Sequence, residues 1–416
     1  MSGVHTNWAG NITYSTDDVR TPASLEELQE VVAGASRVRA AGSGHSFNDL
    51  VDTDGTLVST RGLPREVEVD AEAREAVVGA GMTYAEVGPL LHAQGWALPN
   101  TGSLPHISVG GATATGTHGS GVGNGCLATS VSGVELVLAD GEVLRLRAGE
   151  EDLRGAALAL GSLGVVSRVC LRLEPTYDVA QDVLLDVPTS TVAEDGVALL
   201  SSAHSVSLFT TFATPGRLDS VWRKARLDQP ARGDWGGRPA DVAVHPIPRL
   251  PADAATPQLG VPGPWHERLP HFRADHVPSV GDELQGELFV ALEDLPRAWV
   301  AVEAVAPRLT GALQVMEVRA IAADDLWLSP FRDRPSVAFH VTWVSDLDVV
   351  RPALAALEDA LAPFDPRPHW AKVSTGPHRE RFVAGNPGVA AFRALGERLD
   401  PGRCFVNPFV ERLGIR

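Results

Sequence analysis

The chain has 416 residues, 44% of them apolar and 21% charged, the composition of an ordinary folded protein long enough for two domains. A formal net charge of −17 argues against nucleic acid or an anionic membrane surface as a partner, and against a polyanionic substrate drawn in by long-range field. Cys126, Cys170 and Cys404 have no metal-ligand spacing and, as an odd set, form no disulfide framework; no apolar run spans a bilayer and no signal pattern is visible, so a cytoplasmic protein is expected.

In chain order, residues 7–20 read as extended. Ser24-Leu-Glu-Glu27 is a capping box that opens a helix to about Ala33. Arg37 to Ala41 and Thr56 to Thr60 are short strands, and Glu66–Asp70 with Glu75–Ala80 form a hairpin. Thr83-Tyr-Ala-Glu86 caps a second helix that stops at Gly95, with Pro89 predicting a kink. Val131–Leu138 and Glu142–Leu146 flank Ala-Asp-Gly, a hairpin turn. A strand near 161–173 closes this half, and Pro175 to Ala180 is the predicted boundary.

Beyond it, Leu184–Val187 and Ser205–Phe212 read as strands around a helix. Residues 227–282 are proline-rich with little periodicity. A structureless loop of that length is rare in a compact domain, so an ordered lid or subunit contact is expected, with disorder the alternative. Strands resume at Glu287–Leu292, Gln314–Ile321 and Val337–Val344, helices fit 295–308 and 348–362, and Arg367–Ser374 is a last strand or loop. Short strands and helices that do not alternate indicate an α+β fold.

Two glycine-rich stretches carry the first chemical signal. In Arg39-Ala-Ala-Gly-Ser-Gly-His-Ser-Phe47, Gly42 and Gly44 free a tight turn whose N–H groups can gather around an anion, with His45 at its tip. The dinucleotide fingerprint fails, because Phe47 stands at its third glycine. Ser108-Val-Gly-Gly-Ala-Thr-Ala-Thr-Gly-Thr-His-Gly-Ser-Gly121 packs small and hydroxylated residues around His118. A second signal is the pairing Glu317-Val-Arg319 and His340-Val-Thr342, each pair on one face of a strand. From the pattern alone that face belongs either to water or to the floor of a site. Of 35 basic residues only Lys224 and Lys372 are lysines. Against such an arginine bias, a retained lysine either survives by chance or marks a place for a compact donor or a removable proton.

The two glycine segments resemble the diphosphate and flavin contacts of the vanillyl-alcohol-oxidase family of FAD-linked oxidases, and the alditol-oxidase branch is the best match. The likeness runs from Asn7-Trp-Ala-Gly-Asn11 to Asn407-Pro-Phe-Val410. It implies an FAD-binding domain of the PCMH type over 1–176, a substrate domain on a mainly antiparallel sheet over 177–385, and a segment 386–416 returning to the FAD domain. It also implies FAD contacts from Ala40, Ala41, Gly42, Ser43, Gly44, His45 and Ser46. Further contacts follow from Ser103, Ser108, Gly111, Thr115, Gly116, Thr117, His118, Val166 and His369. The histidine matching His45 carries the flavin covalently in that family.

Ser103, Glu317, Arg319, His340, Thr342 and Lys372 match its polyol contacts. The resemblance therefore implies oxidation of a terminal primary alcohol of xylitol or sorbitol to the aldose, with O2 reduced to hydrogen peroxide. Arg319 and Lys372 are expected at the reacting oxygen, and either His340 or Lys372 is the base. Gly102 is expected to admit oxygen. His118 and His106 are expected to have no proton-transfer role, and Trp265-His-Glu267 is expected to pack around the site entrance. A monomer without metal is expected. The rival readings are an aldonolactone oxidase and a sugar-binding flavoprotein without turnover.

Overall fold

A computed structural model describes residues 6–276 and 282–416; residues 1–5 and 277–281, the latter within the proline-rich stretch, lie outside it. The first half holds two small sheets. Strands β1 (Val19–Arg20), β2 (Val38–Ala41) and β3 (Thr56–Ser59) run parallel in the order β1-β3-β2. Strands β4 (Val67–Asp70), β5 (Glu75–Gly79), β7 (Val131–Val137), β8 (Val143–Arg147) and β9 (Val165–Arg172) form an antiparallel sheet in the order β4-β5-β9-β7-β8. The short β6 (Trp96–Ala97) pairs with β10 (Glu174–Pro175).

Local chemistry places these elements where the sequence indicates. Ser24 accepts from the Glu27 amide and Glu27 accepts from the Ala23 amide, so both sides of the first helix entry, Leu25–Ala33, are satisfied. The β7–β8 turn closes on Gly141 at φ +82°, a conformation that costs glycine nothing. The helix Tyr84–Ala93 carries Pro89 near its middle and ends before Gly95 at φ +83°.

The second half is one fully antiparallel sheet. It comprises β11 (Asp178–Leu185), β12 (Ser205–Thr210), β13 (Ser220–Arg226), β14 (Arg238–Pro239), β15 (Gly263–Pro264), β16 (Glu283–Ala291), β17 (Leu313–Ile321), β18 (Ser336–Val344) and β19 (Arg367–Pro368). The order is β14-β11-β13-β12-β17-β18-β16-β19, with β15 against β11. Strand alternation gives the sheet two unlike faces. Met316, Val318, Phe339, Val341, Leu288 and Val290 face a core shared with the helices Thr189–Leu200, Leu295–Leu309 and Leu347–Leu361. Glu317, Arg319, His340, Thr342, Gln285 and Glu287 alternate with them, and all six line one cavity. The polar face therefore floors a cavity instead of meeting bulk water.

Two readings of the sequence need correction, the Leu184–Val187 strand and the placing of Trp265, and other stretches add elements it did not assign. The strand placed at Leu184–Val187 runs earlier, Asp178–Leu185, because its exposed and buried positions already alternate from Asp178. The strand β13 falls where arginine and lysine interrupt the apolar run, and the helices Pro377–Gly385, Gly388–Leu399 and Pro408–Arg412 lie where the sequence reading assigned no element. Residues 227–276 are irregular but packed, and they deliver His245, Ile247 and His271 to the cavity. Trp265 does not border the site entrance. It is buried, donates to the Trp96 carbonyl and stacks near Tyr177, so its indole glues the second half to the first.

The C-terminal stretch docks onto the first half. Asn407 Nδ2 donates to the carbonyls of Asp49, Leu50 and Asp52. Buried Arg39 donates to the carbonyls of Gly161, Phe405, Leu50 and Leu160, and burial pulls its pKa down to about 10. That guanidinium ties β2, and the histidine loop that follows it, to three distant parts of the chain.

Candidate active site

A cavity of about 690 Å³ lies between the glycine loops of the first half and the polar face of the large sheet. That is the size of a site for a cofactor-sized ligand. Its upper wall is built from backbone. Ser43 N–H donates to Ser108 Oγ and Ser108 N–H donates to Ser43 Oγ, both at 3.3 Å, so each loop clasps the other. A Cβ on Gly42 would stand 2.0 Å from Ser108 Oγ, and one on Gly111 would stand 2.9 Å from it. Gly44 adopts φ +77°, and its carbonyl accepts from the Trp8 amide.

His45 sits in this wall. Its ring stacks on Trp8 with centroids 4.8 Å apart, and its Nδ1 is buried without a hydrogen-bond partner. Burial lowers its pKa to about 4, so the ring is neutral at physiological pH. The Phe47 amide donates to the Ala371 carbonyl, and Asn48 donates to the carbonyls of Trp370 and Lys372. The histidine loop and the lysine segment are thus held as one unit.

The floor is a buried charge network. Register places Glu317 opposite His340, and His340 opposite Glu287, in one row across β17, β18 and β16. Arg319 donates to Ser103 Oγ and to Glu287 Oε1, each at 2.9 Å, and its Nε lies 3.5 Å from Glu317 Oε2. Lys372 Nζ lies 2.7 Å from Glu287 Oε2 and 2.9 Å from His340 Nδ1. His118 Nε2 reaches Glu287 Oε1 at 3.1 Å, while its Nδ1 pairs with the Gly119 carbonyl. Such charges persist in a dry interior only because every one is paired.

Electrostatics follow from this packing. Burial alone would raise the pKa values of Glu287 and Glu317, but Lys372, His118 and Arg319 hold Glu287 well below the carboxylate range. Arg319 and His271 do the same for Glu317. Burial pushes His340 down to about 3 and draws Lys372 below its usual value, against the upward pull of Glu287. The floor therefore carries two fixed carboxylates, one fixed guanidinium and a lysine whose pKa lies below its usual value.

Most residues named from the sequence meet here. Ser103, Glu317, Arg319, His340, Thr342 and Lys372 all line the cavity, as do Ala40, Ser46, Thr115, Thr117, Val166 and His369. Three stand apart. Ala41 points the opposite way along β2 and packs with Tyr14 and Leu57. Gly116 is a turn residue at φ +71°, beside Leu158 and Pro330. Gly102 is outside the lining, and a Cβ there would make only ordinary contacts with Ile107 and Thr117. The sequence reading missed Glu287 and His271. A lone glutamate inside the apolar run Gly286-Glu-Leu-Phe-Val-Ala291 was the available signal for Glu287. His271 lies in an irregular segment that offers no periodic signal.

Comparisons with known proteins agree with this architecture. Residues 17–147 match the family model described as FAD binding domain, and residues 291–413 match that of D-arabinono-1,4-lactone oxidase. The chain is 48% identical over 416 residues to the alditol oxidase of Streptomyces sp. (strain IKD472 / FERM P-14339), covering 99% of each chain. It is 28% identical over 437 residues to the L-gulono-1,4-lactone dehydrogenase of Mycobacterium tuberculosis, again covering 99% of each. The solved cholesterol oxidase from B. sterolicum has the same fold, with a TM-score of 0.77 at 13% identity, over 98% of this chain and 96% of that one. The xylooligosaccharide oxidase of Myceliophthora thermophila C1 superposes with a TM-score of 0.73 at 13% identity, over 97% and 93%.

A clasped pair of glycine loops facing a charged antiparallel floor defines a flavin-linked oxidoreductase. The chain belongs to the vanillyl-alcohol-oxidase-type family of FAD-linked oxidases, with the alditol oxidases as its relatives at high identity. Among the described residues no helix is long and apolar enough to cross a membrane, and no group of side chains could hold a metal ion.

Proposed function

We propose that this protein oxidises the terminal primary alcohol of an open-chain polyol such as xylitol or sorbitol to the aldose, passing the electrons to O2 with release of hydrogen peroxide. The observation that carries the reading is convergence. Six polar side chains from four separate segments meet on the floor of the cavity whose opposite wall is the glycine cradle. The 48% identity to an alditol oxidase supports the same reading.

The residues present fit FAD. Gly42 and Gly111 lack the Cβ that would run into Ser108 Oγ, so both loops can line the cavity with backbone, and the neutral His45, which also lines it, has an unpartnered Nδ1. Bound FAD supplies the hydride acceptor. We assign His45 as its covalent attachment point, since a neutral imidazole is the nucleophilic form. The domain limits 1–176, 177–385 and 386–416 remain our assignment of how the chain divides between cofactor and substrate.

The side chains then act as follows. Arg319, fixed by Glu287 and Ser103, stabilises developing negative charge on the reacting oxygen. Lys372 takes the hydroxyl proton. As the neutral amine, Lys372 donates one N–H to Glu287 and the other to His340 Nδ1, which leaves its lone pair for the hydroxyl proton and puts the His340 proton on Nε2 as a donor to substrate. This favours Lys372 over His340 as the base. Glu317 and Thr342 accept and donate to hydroxyls further along the polyol, so deoxy analogues should be rejected strongly. Gly102, which no packing requires, leaves open the approach that O2 needs.

An aldonolactone oxidase is the second reading, favoured by the family model over residues 291–413. Initial rates on xylitol and on an aldonolactone separate the two: a higher kcat/KM on the polyol is expected, and a higher one on the lactone would reverse the assignment. For His45, colour remaining with acid-precipitated protein is expected, whereas free flavin in the supernatant would remove the covalent bond.

A further inference from the structure

The two lysines of the chain both end at this site, from opposite sides. Lys372 meets Glu287, and Lys224, on β13, lies behind Glu317. Lys224 is fully buried, and its Nζ lies 2.6 Å from the Leu269 carbonyl, 2.8 Å from the Pro270 carbonyl and 3.0 Å from His271 Nδ1. His271 Nε2 lies 2.7 Å from Glu317 Oε1. Of the two lysines, Lys224 is the one that the proposed reaction does not use.

Donor and acceptor counting fixes the protons. The two carbonyls can only accept, so Lys224 donates to both. Glu317, held ionised by Arg319, can only accept, so His271 must carry its proton on Nε2. His271 Nδ1 is then an acceptor and takes the third Lys224 proton. Burial lowers the Lys224 pKa well below its usual value, but three acceptors lie within 3.0 Å of its Nζ, enough to use all three donors of an ammonium. The ring itself is locked by its neighbours, since Phe209 and Trp222 pack edge-on at 5.5 and 5.3 Å. Phe209 is also the register partner of Glu317. The His271 amide donates to the Ser103 carbonyl at 2.9 Å, so the same residue fixes two of the proposed polyol contacts.

We propose that Lys224 and His271 are positioning residues for substrate recognition: the buried chain Lys224–His271–Glu317 fixes the ionised carboxylate of Glu317 in the orientation that receives a polyol hydroxyl. This rests on the polyol reading for the substrate and on the contacts alone for the chain. Burial depresses the His271 pKa to about 4, which agrees with a neutral ring.

The test uses the flavin-loaded enzyme. Lys224→Met combined with His271→Phe removes the chain as a unit and avoids stranding a buried ammonium. With flavin content and thermal midpoint near those of the wild type, KM for xylitol should rise about tenfold or more, while the limiting rate of anaerobic flavin reduction changes less than about threefold. In a Glu317→Gln background the same pair should add almost nothing to KM, because the effect passes through that carboxylate. Lys224→Arg should not rescue. An unchanged KM in a flavin-loaded variant, or full additivity with Glu317→Gln, would overturn the proposal.

A second measurement does not need the substrate or a folded variant. Nitrogen NMR of histidine-labelled native holoenzyme should show His271 neutral and protonated on Nε2 through neutral pH. A ring protonated on Nδ1, or one titrating near 6.5, would refute the chain whatever the substrate proves to be. If the wild-type flavin is not reduced by xylitol at all, the polyol reading and the substrate role fail together, while the NMR result still decides whether the chain Lys224–His271–Glu317 exists with these protons.

Discussion

The two walls of the cavity recognise their ligands by opposite means. The cofactor wall works by absence: Gly42, Gly44 and Gly111 withhold side chains so that backbone amides can approach, and its polar links are hydroxyls and amides. The substrate wall works by presence: two carboxylates, a guanidinium and a lysine are buried together and hold one another in place. The first wall is disturbed by added volume, since a Cβ on Gly42 or Gly111 would run into Ser108 Oγ; the second is disturbed by lost charge, because each charge there has a partner that would be left stranded. On the proposed reading, this contrast divides the enzyme into a half that decides whether flavin is held and a half that decides whether alcohol is oxidised.

Breaking the second wall should have the largest effect. Lys372→Met should keep flavin content but lower the rate of anaerobic flavin reduction by xylitol about 10³-fold, which stopped-flow measures directly. Lys372→Arg should lose a similar amount, since a guanidinium cannot give up its proton. Retained turnover in either variant would show that the base lies elsewhere.

A smaller and more diagnostic effect is expected at Glu287. Its carboxylate favours the protonated form of Lys372, so Glu287→Gln should let that proton leave at lower pH. The reduction rate rises with pH as Lys372 becomes neutral, and the rising limb should therefore move toward lower pH, even as the maximal rate falls about 10- to 100-fold. A limb that stays in place would detach Glu287 from the lysine.

On the cofactor wall, Gly42→Ala forces the Ser108 hydroxyl off the Ser43 amide and should reduce flavin content several-fold, with near-normal kcat per bound flavin. Flavin absorbance against protein concentration reads this out. The mildest change is Gly102→Ala, which packing accommodates. It should leave xylitol reduction intact and slow only reoxidation by O2. An unaltered reoxidation rate would remove Gly102 from the oxygen route.

What the sequence disclosed follows the same division. Glycine and hydroxyl clustering at 39–47 and 108–121 survives as a linear pattern, because a backbone cradle is local. The pairs Glu317/Arg319 and His340/Thr342 are legible because strand geometry puts alternate residues on one face. Glu287 and His271 were not legible as site residues. Their importance comes from register across β16, β18 and β17 and from an irregular segment folding back over Ser103, and neither is encoded by local periodicity. Ala41 shows the converse limit: adjacency to Ala40 suggests a shared role, but alternation along β2 turns it into the core.

The claim that one cavity joins a flavin-holding wall to a polyol-oxidising wall is tested most directly by anaerobic titration of the purified yellow protein with xylitol. Full bleaching of the flavin, followed by recovery of colour and appearance of hydrogen peroxide when air is admitted, is the predicted result. A flavin that stays oxidised with saturating xylitol, in protein that dithionite bleaches normally, would contradict it.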